Sequence, residues 1–168
     1  MDLLWNYTED GAKKVSELET LVDQYEDELG TYLVKLSRQN LSVHDSHTLS
    51  IVLHCIGDFE RISDHAINIM EAAQEMHNKK LTFSPKAEEE LKVFCRAVQD
   101  IVEKAYAVFR DQDEKLAQKV EPLEAVVDDL NQEVKKRHIR RLRNGKCTIE
   151  LGFILSDITT SLERVADH

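Results

Sequence analysis

Asp58-Phe59-Glu60-Arg61-Ile62-Ser63-Asp64-His65 decides how this chain is read, because the chain repeats it. Near the C-terminus the pattern returns as Leu162-Glu163-Arg164-Val165-Ala166-Asp167-His168, at an offset of 103. Four of the six positions from Glu to His are identical, and the other two are conservative changes. Residues four apart lie about 40° apart around a helix, so each glutamate-aspartate pair points one way. Like charges at that spacing destabilise a helix by roughly 0.2–0.5 kcal/mol, and more once partly desolvated. An arrangement that costs stability and is nevertheless carried twice calls for a physical reason.

The duplication reaches further upstream. Lys14-Val15-x-x-Leu18-Glu19-x-x-Val22-Asp23 matches Lys119-Val120-x-x-Leu123-Glu124-x-x-Val127-Asp128, six identities in ten at an offset of 105. The strict pattern Glu-x-x-x-Asp therefore occurs four times: Glu19/Asp23, Glu60/Asp64, Glu124/Asp128 and Glu163/Asp167. Repetition at this period marks an internally duplicated unit.

Periodicity makes the unit three helices. Thr8 is an N-cap for a first helix over Glu9 to Ser37, with Val15, Leu18, Val22, Tyr25, Leu29, Leu33 and Leu36 on one face. Asn40 to Asp45 reads as a loop, and Asp45 or Ser46 caps a second helix from about His47 to His77. Its broad apolar arc suits the middle member of a bundle. Ser84-Pro85 starts a third helix, to about Arg110, with acids in its opening turns. Asp113 caps a fourth, to about Arg143, in which Pro122 should introduce a kink or break. Asn144-Gly145 stops it, and a fifth begins near Thr148. The expectation is an all-α protein of tandem three-helix-bundle repeats: residues 8–112 the first, 113–168 a truncated second, together one domain over 1–168. The truncation reads as a boundary cut partway along helix five.

Composition excludes several functions. With 32 acids against 22 bases the net charge is −10, and no basic stripe offers itself to phosphates of nucleic acid. Lys135-Lys136-Arg137 and Arg140-Arg141 sit late in a helix, where they suit its dipole. Cys55, Cys95 and Cys147 form no C-x-x-C and read as reduced thiols. The N-terminus lacks signal-peptide character, and no stretch approaches the ~20 apolar residues of a membrane span. Ferritin-like di-iron sites need Glu-x-x-His on two helices, and no glutamate here has histidine three residues on. With no glycine-rich phosphate loop and no nucleophile-base pairing, the chain reads as a non-enzyme.

Both pairs of the first unit fall at the edge of the apolar stripe, and adjacent antiparallel helices bring such edges together, so four carboxylates could face one another across a seam. Acidic pairs beside a core are commonly solvated faces that meet Lys or Arg. Four copies in register with a duplication argue otherwise, and a bound cation would reverse the sign of the repulsion. An all-oxygen set suits Mg²⁺, Ca²⁺, Mn²⁺ or iron and argues against a thiolate zinc site. Arg61 is expected to pair locally with Asp58, and His65 and His168 to support or cap. Asp23/Asp27, Glu71/Glu75 and Asp129/Glu133 stay solvated faces.

With the doubled Glu-Arg-Ile-x-Asp-His and a Glu-x-x-x-Asp on the preceding helix, the chain resembles the PhoU domain family. That resemblance implies tandem three-helix repeats whose paired E(D)-x-x-x-D motifs bind multinuclear metal clusters. It carries metal ligation to Glu19, Asp23, Glu60, Asp64, Glu124, Asp128, Glu163 and Asp167. Iron is the leading metal, with Mn, Mg or Zn as others. Leu53 to His65 is most similar to the version fused to sodium/phosphate cotransporters. It implies a regulatory domain on the cytoplasmic face, with the transporter's membrane domain in cis as partner. The alternatives are a stand-alone PhoU-type regulator of phosphate uptake signalling, whose partners are transport and signalling proteins, or a metal-free helical adaptor. A homo-oligomer stays open.

Overall fold

A computed structural model describes residues 1–168, and it is all helix and turn. A 3-10 turn over Asp2–Leu4 precedes α1 (Glu9–Leu36), α2 (Val43–Asn78) and α3 (Pro85–Asp111). The short α4 (Glu114–Ala117), α5 (Val120–Arg143) and α6 (Ile149–Asp167) follow.

Local chemistry sets the helix ends. Thr8 Oγ1 accepts from the Gly11 amide at 3.1 Å, Ser84 Oγ from Ala87 at 3.4 Å and Thr148 Oγ1 from Leu151 at 3.2 Å. A Cβ at Gly11 would lie 2.6 Å from Leu3 Cδ2 and 2.8 Å from the capping Thr8 Oγ1, so a larger residue there would have to displace one of them. α2 starts earlier than its periodicity suggests. Ser42 is its cap, accepting from the Asp45 amide at 3.1 Å while donating to the Asp45 carboxylate at 2.7 Å. A serine with an acid three residues on is a capping box in miniature, and it draws residues that read as loop into the helix. The helix expected across Asp113 to Arg143 divides at Gln118–Lys119. Pro122 then lies in the first turn of α5, where its missing N–H costs no intrahelical bond.

Packing regroups the sequence repeats. α1 lies along α2, and α2 along α6. α3 leaves the first repeat and packs on α5 and α6, so α3, α5 and α6 form one three-helix bundle. The core sits there and takes in the C-terminal half of α2: Leu91, Phe94, Val98 and Ile101 of α3 meet Val127 and Val134 of α5 and Ile154, Leu155, Ile158 and Leu162 of α6, with Ile69, Ala72, Ala73 and Met76 of α2 in the same cluster. An ion pair locks the crossing, with Arg141 Nη1 donating to Glu90 Oε2 at 2.6 Å and Arg137 Nη1 to Oε1 at 3.3 Å. The basic run of α5 thus serves tertiary packing besides its helix dipole. Gly152 lets α6 approach α5, because a Cβ there would stand 2.8 Å from Nε2 of the buried His138. No helix is long and apolar enough to cross a membrane.

Candidate metal centre

Each Glu-x-x-x-Asp pair sits on the helix that the periodicity assigns to it: Glu19/Asp23 on α1, Glu60/Asp64 on α2, Glu124/Asp128 on α5 and Glu163/Asp167 on α6. Because α1 packs on α2 and α5 on α6, the pairs meet across two seams. In the first seam, ligand oxygens of Glu19, Asp23 and Asp64 all lie within 4.8 Å of one another. In the second, those of Glu124, Asp128 and Asp167 do the same. The two clusters are equivalent positions of the duplication.

The fourth carboxylate of each set stands beside its cluster. Glu60 is half-buried, and its carboxyl is pushed up from the ordinary range by burial first, then by the charges of Asp64, Asp23 and Glu26, with Arg61 opposing. The helix-helix seam therefore concentrates negative charge with little compensation. Glu163 differs, because Lys135 Nζ reaches its Oε2 at 3.9 Å. Position 135 corresponds to Gly30 in the first repeat, so the first seam has no such cation. Glu26 and Lys135 lie outside the Glu-x-x-x-Asp pattern. Only the offset alignment, which pairs Glu26 with Asn131 and Lys135 with Gly30, marks them as places where the halves diverge.

Around the clusters, local pairs hold the helices' own charges. Arg61 Nη1 meets Asp58 Oδ1 at 3.3 Å, as its spacing suggests, and Arg164 Nη1 meets Asp167 Oδ2 at 3.6 Å. The α2–α6 contact joins the two motifs: the rings of His65 and His168 stack at 6.0 Å, and His168 Nδ1 lies 3.8 Å from Asp58 Oδ1. Burial and the neighbouring His168 push His65 down from the usual imidazole range.

The donor chemistry fits a hard cation. Three carboxylates from two helices supply oxygen only, and such ions take six or more oxygens, completing the shell with water or further carboxylate. Glu19, Asp23 and Asp64, and likewise Glu124, Asp128 and Asp167, are the residues that would hold one, with Glu60 and Glu163 next in reach.

A helical pair bearing this doubled carboxylate set, joined to a bundle by its second helix, is matched by a family model described as the PhoU domain over residues 1–73 and 91–168. The chain belongs to the PhoU domain family. It is similar to the phosphate-specific transport system accessory protein PhoU homolog 1 of Thermotoga maritima, 27% identical over 158 residues, covering 94% of this chain and 67% of that one. The protein of the same description from Methanothermobacter thermautotrophicus is 28% identical over 171 aligned residues, covering all of this chain and 76% of the relative. The crystal structure of PhoU from Pseudomonas aeruginosa superposes with a TM-score of 0.86 at 23% identity, over 94% of this chain and 75% of that one. That last likeness establishes the PhoU-like fold.

Proposed function

We propose that this protein is a PhoU-type accessory regulator of phosphate transport, and that its two carboxylate clusters are metal sites. The observation that carries the regulatory reading is the match, along nearly the whole chain, to proteins named as accessories of a phosphate-specific transport system. Those relatives favour an accessory partner of a transporter over a domain built into a cotransporter. The regulatory reading assigns no catalytic residue.

The metal reading is carried by the duplicated three-carboxylate clusters. A bound cation would turn inter-helix repulsion into a link between α1 and α2 and between α5 and α6, stiffening both seams. The protein's own residues do the rest: α1 and α2 present acids from two helices at once, and the packing of α2 along α6, which brings His65 beside His168, joins the two seams.

Two experiments separate these parts. Deleting the gene in its own host should alter uptake of radiolabelled phosphate under phosphate-replete growth. Unchanged uptake would overturn the regulatory reading. Elemental analysis of the purified protein, with thermal shifts in Fe³⁺, Mn²⁺, Mg²⁺ and Zn²⁺, should show bound metal that falls in Asp23→Asn/Asp64→Asn to the share held by Glu124, Asp128 and Asp167. No metal and no shift would leave a metal-free helical adaptor. The cotransporter reading, which rests on the stretch Leu53 to His65, predicts that the protein's transporter partner is part of the same polypeptide.

A further inference from the structure

The second seam holds a polar atom that no other part of the protein satisfies. Asn131 of α5 is 3% exposed, and its Oδ1 is buried without a hydrogen-bond partner. Buried amide oxygens are nearly always paired, so an unpaired one marks a place for a further contact. At ~100° per residue Asn131 lies about 20° from Glu124 around α5, and just under one turn beyond Asp128. Its neighbours on that face both reach α6: the His138 ring stands against Gly152, and Lys135 Nζ meets Glu163 Oε2. Arg137 and Arg141, which take Glu90 of α3, lie about 80° or more away around the helix. Asn131 therefore faces α6. Asp128 meets Asp167 on one side of it and Lys135 meets Glu163 on the other, so the orphaned oxygen falls between the cluster and its fourth carboxylate.

The duplication puts an oxygen donor at the same point of the first seam. At the 105 offset Asn131 corresponds to Glu26, three residues after Asp23 and seven after Glu19. Glu26 is half-buried, and its charge acts on Glu60 of the opposing helix. Each seam thus carries a ladder of donors on one helix: Glu19, Asp23 and Glu26 on α1, and Glu124, Asp128 and Asn131 on α5. An amide carbonyl oxygen ligates hard cations beside carboxylates and brings no charge of its own. The ladders differ in that respect. Glu26 is anionic where Asn131 is neutral, and Lys135 is cationic where the first seam has Gly30. At these two positions the first seam is two unit charges more negative than the second. We propose, resting on the metal reading above, that Glu26 and Asn131 Oδ1 are further metal ligands, and that their difference in charge sorts the ions: a trivalent cation in the first seam and a divalent one in the second.

Two backgrounds isolate the seams for titration: Asp23→Asn/Asp64→Asn leaves the second, and Asp128→Asn/Asp167→Asn leaves the first. Mn²⁺ serves as the divalent probe and Tb³⁺ as the trivalent one. In the second-seam background, isothermal titration should show Asn131→Leu weakening Mn²⁺ by about tenfold or more. Asn131→Asp keeps the side chain's shape and adds a charge. It should raise the affinity for Tb³⁺ relative to Mn²⁺ by about tenfold, and should lower the melting temperature in chelator. In the first-seam background, Glu26→Gln should lower that Tb³⁺-to-Mn²⁺ ratio by a similar factor. An amide with a purely structural role would instead change the melting temperature in chelator and leave the metal affinities alone. No metal bound in either background would overturn the metal reading and this inference with it. Mn²⁺ bound as tightly by Asn131→Leu as by its background, or a Tb³⁺-to-Mn²⁺ ratio unmoved by Asn131→Asp and Glu26→Gln, would overturn this inference and leave the metal reading standing.

Discussion

At Glu60 the physics of the site is concentrated in one side chain. Its carboxyl is raised by burial and by Asp64, Asp23 and Glu26, so as pH rises above the ordinary carboxylate value the unfolded chain loses this proton before the folded one does. The folded state then holds more protons, and stability falls with rising pH across that window. Glu60→Gln should flatten this slope and stabilise the metal-free protein at neutral pH by about 0.5 kcal/mol, a small gain because the site is partly exposed. Urea denaturation in chelator at pH 4.5 and 7 checks it, and a variant weaker than the parent at pH 7 would contradict it. In saturating metal the order should reverse. Gly152 makes a different point: Gly152→Ala forces a methyl onto the buried His138 ring and should cost about 1–3 kcal/mol in the same assay. The Glu-x-x-x-Asp pairs were legible in the sequence, because a fixed helical spacing carries them. The charge of Glu26 on Glu60 was not, since it acts across a helix-helix seam.

Among the elements, α1–α2 and α5–α6 are equivalent seams with unequal electrostatics. Lys135 places its ammonium 3.9 Å from Glu163, at the position where α1 has Gly30. A built-in cation competes with a bound one, so the first seam should take metal at lower concentration than the second. Lys135→Ala should bring the two closer, read by isothermal titration with Mn²⁺ as a second binding step shifting to higher affinity. A titration indistinguishable from the parent's would show that Lys135 leaves the site alone. Helix ends were read correctly wherever one capping side chain decides them, at Thr8, Ser84, Asp113 and Thr148. The start of α2 moved to Ser42 because a capping pair there outweighs the loop character of its neighbours.

For the whole molecule, stability is divided unevenly. α3 buries six residues, and α6 seven, while α1 buries Ala12 alone and has its helix-long contact with α2. Regions with few buried apolar contacts open first. Amide hydrogen exchange should therefore run fastest along α1 and slowest in the bundle of α3, α5 and α6, and metal loading should slow α1 most. Equal protection of α1 and α3 without metal would refute this division.

From the sequence alone follow the helices, their repetition and the eight carboxylates, because each depends on spacing within a few turns or on comparing the chain with itself. Tertiary structure decided where the third helix goes. Nothing in α3's own periodicity says that its apolar stripe belongs on α5 and α6. The match of Glu90 to Arg137 and Arg141, and the fit of Phe94 and Val98 into that bundle, do.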